Sequence, residues 1–337
     1  MSLYDFVLKK YFQVMNNLSG RSFADNIPCL RYFRDFWLHI VEKENAELRE
    51  RYYSGQIIED EAFVRLAKKF KNKNVIPFMD LCVGTKCTLN CRDCTQWLPY
   101  LKNREMFSAK RIIDDLEKLF KYVDYIHFIS PLGGEPFLNP EIAEILEYLI
   151  EMSNKGKIGY IRLVTNGTIF PKDDILKCFY HQNIGILVSN YDGVLNNAAM
   201  NNKKQLIDYF KNNKLNYFSP EGFKWFDLGI YNGKYGKKKN ELIDTFKTCF
   251  AHNCTGFYDG VLYRCARSYA VVNIDGIKPA GEQCIDISAI KSKKDMKSKL
   301  RKFYSLRYLD ACDYCVNNNK RCQVEPAVQV ESRVHNL

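Results

Sequence analysis

"TKCTLNCRDCTQW", residues 85–97, places three cysteines within eight positions, with the spacing C-x3-C-x2-C. These cysteines are Cys87, Cys91 and Cys94, and no fourth cysteine lies beside them. A structural zinc site normally closes with four ligands arranged as two separated pairs. Three thiolates on a cluster of four irons leave one iron open to another molecule. The stretch therefore favours a metal centre with a vacant coordination position.

The composition limits how the remaining cysteines are interpreted. The chain has 337 residues, 46% of them apolar, and 13 are cysteine. Asp5, Lys9 and Lys10 interrupt the N-terminal apolar residues, and no apolar run approaches the ~20 residues that span a bilayer. We therefore expect a cytoplasmic protein with no membrane partner, in which thiols are ligands more often than disulfides.

The formal charge of +11 comes mainly from lysine runs at 233–240 and 291–302. Such runs usually form solvated loops or helix faces, so no nucleic-acid partner is predicted.

Alternating strand and helix patterns begin at Val75. Ser108 is the expected N-cap of the first helix, Asn139 and Pro140 begin the second, and a third follows Pro171. The expected strands are 75–83, 125–132, 160–167 and 183–193. Repeated units of this kind predict parallel strands with right-handed crossovers, in a barrel or a doubly wound sheet.

Polar motifs follow each of the four predicted strands. They are the cysteine loop, "GGEP" (133–136), "TNG" (165–167) and "SN" (189–190). Since the carboxyl ends of parallel strands form the working end of both folds, the four motifs are expected to converge on one site.

This ordered combination, over residues 75 to about 230, resembles the radical S-adenosylmethionine (SAM) superfamily. The resemblance implies an α/β fold with a partial (βα)6 TIM-like barrel and a [4Fe–4S] cluster held by Cys87, Cys91 and Cys94. It also implies that the open iron chelates SAM. One electron then splits SAM into methionine and a 5′-deoxyadenosyl radical, which takes a hydrogen atom from the substrate. A zinc loop and three incidental buried cysteines are the alternatives.

The same resemblance suggests which residues bind SAM. Gly133 and Gly134 would let the backbone pass close to the methionine moiety, and Glu135 would accept its ammonium group. Asn166 and Ser189 would bond the ribose or the methionine carboxylate. The full predicted set is Gly133, Gly134, Glu135, Pro136, Asn166, Ser189 and Asn190. Many relatives have an aromatic residue where this chain has Asp93; Trp97 is either a substitute contact or ordinary core.

The strand and helix rhythm fades beyond about residue 235, where seven cysteines appear. They are Cys249, Cys254, Cys265, Cys284, Cys312, Cys315 and Cys322. "KTCFAHNCTGFYDGVLYRC", with "DG" suited to a hairpin turn, resembles the opening of SPASM or twitch extensions, and "ACDYC" resembles their closing pair.

Two all-cysteine clusters need eight thiolates, so the resemblance favours one auxiliary [4Fe–4S] cluster. Its predicted ligands are Cys254, Cys265, Cys312 and Cys315, with Cys249 a close competitor. Two clusters, one with an open iron, and a zinc ribbon are the alternatives.

We therefore predict an N-terminal helical segment (1–74), a radical SAM core barrel (75–235) and a cysteine-rich iron–sulfur domain (236–337). Cys29, Cys82 and Cys178 are expected to be plain buried residues, and His127 a satisfied interior group.

The resemblance implies an oxidoreductase or epimerase acting on a sugar, cyclitol or related polar small molecule. An electron donor such as flavodoxin or ferredoxin is implied as a partner. Epimerisation needs a hydrogen donor, for which Cys284 or Cys322 could serve. A maturase of a ribosomally made peptide is the first alternative, and a non-catalytic iron–sulfur or zinc protein the second.

Overall fold

A computed structural model gives the fold. It describes residues 73–189, 191, 193–219, 225–249, 255–316 and 323–330. The helical segment predicted for residues 1–74 lies almost wholly outside the described residues.

The centre of the fold is a run of parallel strands joined by helices. The strands are β1 (Val75–Gly84), β2 (Tyr125–Gly133), β3 (Ile158–Thr165), β4 (Ile184–Val188) and β5 (Tyr217–Phe218). The helices between them are α1 (Ala109–Phe120), α2 (Ile142–Asn154), α3 (Asp173–Cys178) and α4 (Asn197–Asn212). Each strand pairs in parallel with the next along the chain. The predicted α/β class is confirmed.

Strand β3 illustrates how the sequence divides the sheet into two faces. Ile161, Leu163 and Thr165 are buried, whereas the alternate residues Tyr160 and Arg162 are partly exposed. Because successive side chains of a strand point to opposite faces, one face packs against the helices and the other is more open. Ile161 and Leu163 belong to the main apolar core, which also includes the buried stripe of α1.

The cysteine-rich part of the chain extends this same sheet. Strand β7 (Gly256–Tyr258) pairs in parallel with β1, and β8 (Val261–Tyr263) and β9 (Cys284–Asp286) follow in antiparallel pairing. The strand order is β5-β4-β3-β2-β1-β7-β8-β9. Among the described residues, the sixth parallel strand is therefore β7, which opens a hairpin instead of preceding a helix.

A short separate sheet and three helices complete the described part. Strands β6 (Trp225–Phe226) and β10 (Gln323–Val324) pair antiparallel. The helices are α5 (Lys239–Thr248), α6 (Ala266–Asp275) and α7 (Lys293–Tyr304). None of the helices in the described ranges is long and apolar enough to cross a membrane.

The structure has the helix N-cap and the hairpin turn that the local sequence predicts. The Ser108 side chain accepts a hydrogen bond from the Arg111 backbone, so the predicted N-cap is confirmed. Asp259 and Gly260 both have positive φ, 49° and 71°, as a tight two-residue hairpin turn requires.

The predicted start of the second helix is wrong by two residues. The helix begins at Ile142, and the N-cap position is Glu141. The Asn139 side-chain oxygen still accepts from the Glu141 N–H at 2.9 Å, a capping bond just ahead of the helix, while its side-chain nitrogen donates to the carbonyls of Val83 and Phe107 at 2.8 Å each. Asn139 therefore ties the end of β1 to a neighbouring loop.

Candidate functional site

The glycines of "GGEP" let two strand exits meet. A Cβ atom on Gly133 would lie 2.0 Å from the Gly84 carbonyl oxygen, and one on Gly134 would lie 1.7 Å from that of Lys86. Real Cβ atoms do not approach a backbone this closely, so only glycine fits at either position. Lys86 directly precedes Cys87, so these glycines set the path of the chain into the cysteine loop.

Glu135 lies at the buried centre of this junction. Its Oε1 atom accepts from the Thr165 hydroxyl (2.7 Å) and the Phe137 N–H (3.2 Å), and its Oε2 atom accepts from the Asn166 N–H (2.8 Å). The side chain is fully buried, and this burial raises its pKa to about 7. A carboxylate has about four acceptor sites, so Oε2 retains one. Pro136, also buried, follows in a 3-10 turn.

Asn166 joins the "TNG" segment to the cysteine loop. Its side-chain nitrogen donates to the Thr88 hydroxyl at 2.9 Å and lies 3.5 Å from the Cys87 sulfur. Its side-chain oxygen accepts from the N–H and the hydroxyl of Thr168. The amide is thereby fixed with its donor toward the first thiol of the loop.

The chain after β4 adds Ser189, which was predicted, and Tyr191, which the sequence did not single out. The Ser189 N–H donates to the Thr165 carbonyl at 2.9 Å, which places Ser189 beside the "TNG" segment. Burial raises the pKa of Tyr191, and the charges of the three loop thiols raise it further, whereas a hydrogen bond from Ser189 lowers it. Tyr191 therefore lies within electrostatic reach of the cysteine loop. Asn190 lies outside the described residues.

The three loop thiols lie close enough to influence one another. Burial raises the pKa of Cys87 to about 11 and that of Cys91 to about 12, and Cys94 adds to both rises. Burial also raises the pKa of Cys94. Thiols in such surroundings ionise readily only when positive charge arrives, as it does on metal binding.

Hydrogen-bond donors lie beside two of the three sulfurs. The Leu89 N–H lies 3.5 Å from the Cys87 sulfur, and the Gln329 amide lies 3.6 Å from that of Cys91. Such outer contacts orient thiolate ligands and support their charge. No three potential metal-ligating side chains in the described residues close around a single ion. A four-iron cluster is larger than one ion, and its thiolates are accordingly farther apart.

A C-terminal segment crosses this loop. The Arg92 N–H donates to the Val328 carbonyl (2.7 Å), and the Val330 N–H donates to the Asn90 carbonyl (2.8 Å). The Asn90 N–H also donates to the side chain of Gln329 at 2.7 Å. Residues 327–330 therefore hold the middle of the loop from outside.

Asp93 and Trp97 have separate roles. Asp93 is buried and pairs with Arg92 at 3.0 Å. Trp97 is fully buried with Tyr314 in an apolar cluster against which Cys87 and Cys94 also pack. Trp97 is therefore both core and a neighbour of the cysteine loop.

A second group of thiols forms in the C-terminal part. Cys249 follows α5, Cys265 is the N-cap of α6, and Cys312 and Cys315 lie at a 3-10 turn. Burial raises the pKa of Cys312, and Cys315, Cys265 and Cys249 each add to the rise. We call these four residues the four-cysteine group.

The backbone beside this group is also supported by positive charge. Lys237 donates to the carbonyls of Cys312 and Cys315. Cys254 and Cys322 lie outside the described residues, so the choice between Cys254 and Cys249 as a ligand stays a prediction, although Cys249 is the one seen near Cys312.

The remaining predicted side chains lie elsewhere. Cys82 and Cys178 are buried, as expected, and Cys29 lies outside the described residues. Cys284 is partly exposed on β9. Burial raises the pKa of its thiol, and the charge of Asp286 raises it further. His127 is buried in β2, with the Tyr125 hydroxyl 3.4 Å from its Nδ1 atom.

Residues 81–179 match the family model described as the Radical SAM superfamily. The match identifies this part of the chain as a radical SAM region. The matched residues include the three-cysteine loop and "GGEP", so the resemblance inferred from those motifs is confirmed. No match was found among curated proteins.

Several solved structures are similar to the chain. Streptococcus suis SuiB bound to precursor peptide SuiA is 18% identical, with a TM-score of 0.35 over 55% of this chain and 48% of that chain. Native anSMEcpe with bound AdoMet is 20% identical, with a TM-score of 0.33 over 42% and 44%. BtrN in complex with AdoMet and 2-DOIA is 16% identical, with a TM-score of 0.39 over 75% and 98%. The chain thus spans about half the length of the first of these. TM-scores of this size are too low to indicate a substrate.

Proposed function

We propose that this protein is a radical SAM enzyme that oxidises or epimerises a polar small molecule such as a sugar or cyclitol. Cys87, Cys91 and Cys94 would hold a [4Fe–4S] cluster, with the remaining iron bound to SAM. When bound, these cofactors supply the one-electron chemistry that removes a hydrogen atom from the substrate. The chain's own residues orient the reactants and exclude competing reactions.

The roles of the chain's residues follow from their contacts. Glu135 offers its remaining acceptor site on Oε2 to the ammonium group of SAM, while Thr165 and Asn166 hold the carboxylate in place. Asn166 also supports the Cys87 sulfur. Tyr191, within electrostatic reach of the three thiols, would lie on the β4 side of the site.

The observation that carries the choice of substrate is the open face of the sheet. Phe78, Phe128 and Tyr160 form a row across β1, β2 and β3, with ring centroids 5.4 and 5.5 Å apart. The Arg162 guanidinium lies 4.5 Å from the centroid of Phe128 and 6.0 Å from that of Phe78. Aromatic surface beside a planar cation is suited to a ring-shaped polar ligand.

Two further polar groups, both buried in this structure, lie on that face. Asp80 lies two residues after Phe78 on the same face of β1 and pairs in register with Ser130 of β2. The Ser130 hydroxyl donates to the Arg162 carbonyl at 2.9 Å. A carboxylate, a hydroxyl and a guanidinium beside aromatic rings make up the mixed lining that small-molecule sites use to fix orientation.

The two reactions differ in the fate of the substrate radical. Net oxidation requires loss of one further electron and one proton, and a cluster held by the four-cysteine group would accept the electron. Epimerisation requires return of a hydrogen atom, for which the partly exposed Cys284 is the described candidate. Cys322 lies outside the described residues.

The test is anaerobic reconstitution with iron and sulfide, followed by reduction with SAM and measurement of 5′-deoxyadenosine. A panel of sugars and cyclitols is then screened for compounds that raise SAM turnover, with products analysed in heavy water. A carbonyl product indicates oxidation, and deuterium retained on carbon indicates epimerisation.

Variants separate cofactor chemistry from substrate recognition. Cys87→Ala is expected to abolish 5′-deoxyadenosine formation, whereas Arg162→Lys and Asp80→Asn are expected to keep the uncoupled background and lose stimulation by the substrate. Cleavage by Cys87→Ala equal to the parent would contradict the ligand assignment. A parent protein that binds iron but never cleaves SAM would instead favour the non-catalytic alternative.

The peptide maturase alternative keeps a direct test. Micromolar or tighter binding of a leader peptide encoded beside this gene, together with peptide cross-linking, would replace the small-molecule proposal. The flavodoxin or ferredoxin donor stays a prediction.

A further inference from the structure

Arg267 occupies the junction between the two thiol groups. It lies in the first turn of α6, two residues after Cys265, and only 2% of its surface is exposed. An arginine this deeply buried needs partners for its charge and its five N–H groups.

One set of contacts belongs to the three-cysteine loop. The Nε atom of Arg267 donates to the Thr95 carbonyl at 3.1 Å, and its guanidinium lies 4.0 Å from the ring centroid of Trp97. Its Nη2 atom donates to the Gly229 carbonyl at 3.1 Å, and the Trp97 indole N–H donates to the same carbonyl at 3.0 Å. Arginine and tryptophan are therefore fixed against each other.

The other contact reaches the four-cysteine group. The Nη1 atom lies 3.2 Å from the Cys315 sulfur, within the range of a hydrogen bond to sulfur, and also donates to the Leu228 carbonyl. Burial raises the pKa of both Cys94 and Cys265, and the charge of Arg267 opposes that rise at each. One guanidinium thus acts on both thiol groups.

The charge balance suggests a reason for this placement. Arg267 forms no ion pair with a carboxylate among the described residues; its protein acceptors are three carbonyls and one sulfur. A buried cation without an anion is unfavourable. Thiolates bound to a cluster supply the missing negative charge next to Nη1.

We propose that Arg267 is a positioning residue that raises the reduction potential of the cluster held by the four-cysteine group and ties that group to the three-cysteine loop. The inference rests on the proposed function, in which this cluster accepts an electron. Hydrogen bonds to cluster sulfurs and nearby positive charge stabilise the reduced form, which carries one more negative charge. Arg267 thus favours electron acceptance at this cluster.

The test isolates the second cluster. In a chain with Cys87, Cys91 and Cys94 all replaced by alanine, the iron that remains belongs to the four-cysteine group. Its midpoint potential is measured by redox titration followed by electron paramagnetic resonance. The triple-alanine chain that keeps Arg267 is compared with the same chain carrying Arg267→Met. The methionine variant is expected to shift the midpoint to more negative potential, and Arg267→Lys, which keeps the charge, to shift it less.

Arg264→Met is the matched control. Arg264 is also buried and adjacent to Cys265, but its guanidinium lies over the rings of Phe246, Phe303 and Tyr304, 5.1 to 5.8 Å from their centroids. Its removal is expected to leave the midpoint close to that of the parent. An equal shift in this control would overturn a specific effect of Arg267.

Three other outcomes would also overturn the inference. An unchanged midpoint in Arg267→Met at full iron content would exclude tuning without bearing on the proposed SAM chemistry. Loss of iron from Arg267→Met equal to that in Cys315→Ala would show that the residue only supports the fold. A triple-alanine chain that binds zinc, or no metal, would overturn both this inference and the proposed electron acceptor.

The contact between Arg267 and Trp97 can be measured in the absence of metal. In the metal-free full chain, Arg267→Met is expected to alter the fluorescence of Trp97, and Arg264→Met is not. Identical emission in the parent and Arg267→Met would contradict the contact.

Discussion

Glu135 gives the sharpest test of the site because its raised pKa predicts how the stability of the protein changes with pH. Burial raises the pKa of this carboxyl from 4.5 to about 7. The folded chain therefore binds more protons at this position than the unfolded chain does between these two values. Stability decreases with pH wherever the folded state binds more protons. The stabilising effect of a protonated Glu135 is present below pH 4.5 and is lost as the pH rises through 7.

The size of the effect follows from the shift. Each pKa unit corresponds to about 1.4 kcal/mol, so the full loss is about 3 kcal/mol, and most of it falls between pH 5 and 8. Glu135→Gln cannot ionise and lacks this slope. The difference in free energy of unfolding, parent minus variant, is expected to fall by about 2 to 3 kcal/mol over that range.

Urea denaturation of the metal-free, reduced chain at several pH values measures this difference. Thr165→Val is a second variant, because it removes a hydrogen bond that lowers the pKa of Glu135; its stability should keep falling at higher pH than in the parent. Parallel pH curves for the parent and Glu135→Gln would refute the reasoning. In the reconstituted protein, SAM should bind more tightly as the pH approaches 7, since its ammonium group favours the ionised carboxylate.

Three further variants test other parts of the site. Gly134→Ala places a methyl group 1.7 Å from the carbonyl that precedes the first loop cysteine, so iron bound per chain should fall to the content of the four-cysteine group; full iron content would contradict the close approach. Cys249→Ala should remove iron from that group, whereas Cys284→Ala should not; equal iron in both variants would exclude Cys249 as a ligand. Gln329→Ala should weaken iron binding at the loop by about tenfold, the lower range for loss of an outer-shell contact, whereas Gln323→Ala, on exposed β10, should not; metal titration distinguishes the two glutamines.

Much of the core was predictable because its signals are local. The four predicted strands begin within two residues of the observed β1 to β4, although β4 ends five residues earlier than predicted, and Ser108 caps α1 as its position suggests. Asn139 carries an equally good capping signal, and its side-chain oxygen does accept from the Glu141 N–H. Its side-chain nitrogen also bonds Val83, 56 residues away in sequence, and the sequence alone does not reveal this long-range contact.

The convergence of the motifs was predictable for a topological reason. Parallel strands place their carboxyl ends together, so polar residues after successive strands share one edge. The contacts of Gly134 with Lys86 and of Asn166 with Cys87 follow that rule. What the rule could not give is the direction of each side chain: the Glu135 carboxylate is largely occupied by the protein's own donors.

The residues that sequence reasoning missed are joined by distant parts of the chain. Arg267 contacts Thr95 across 172 positions, and Gln329 contacts Cys91 across 238. Neither pair has a spacing that a motif could record. Arg267 lies in the "CARS" stretch directly after Cys265, so its position beside a predicted ligand was the one available signal.

The contacts of Arg267 connect the two thiol groups physically. Seven thiols are gathered into two groups, and burial raises the pKa at Cys91, Cys94 and Cys312 alike. Without bound metal, these positions hold neutral thiols beside donors suited to anions, and Arg267 has no carboxylate partner in the described part of the chain. Metal binding would turn the thiols into thiolates and supply that partner. Loading of the four-cysteine group should therefore strengthen the contacts of Arg267, which reach the three-cysteine loop through Thr95 and Trp97.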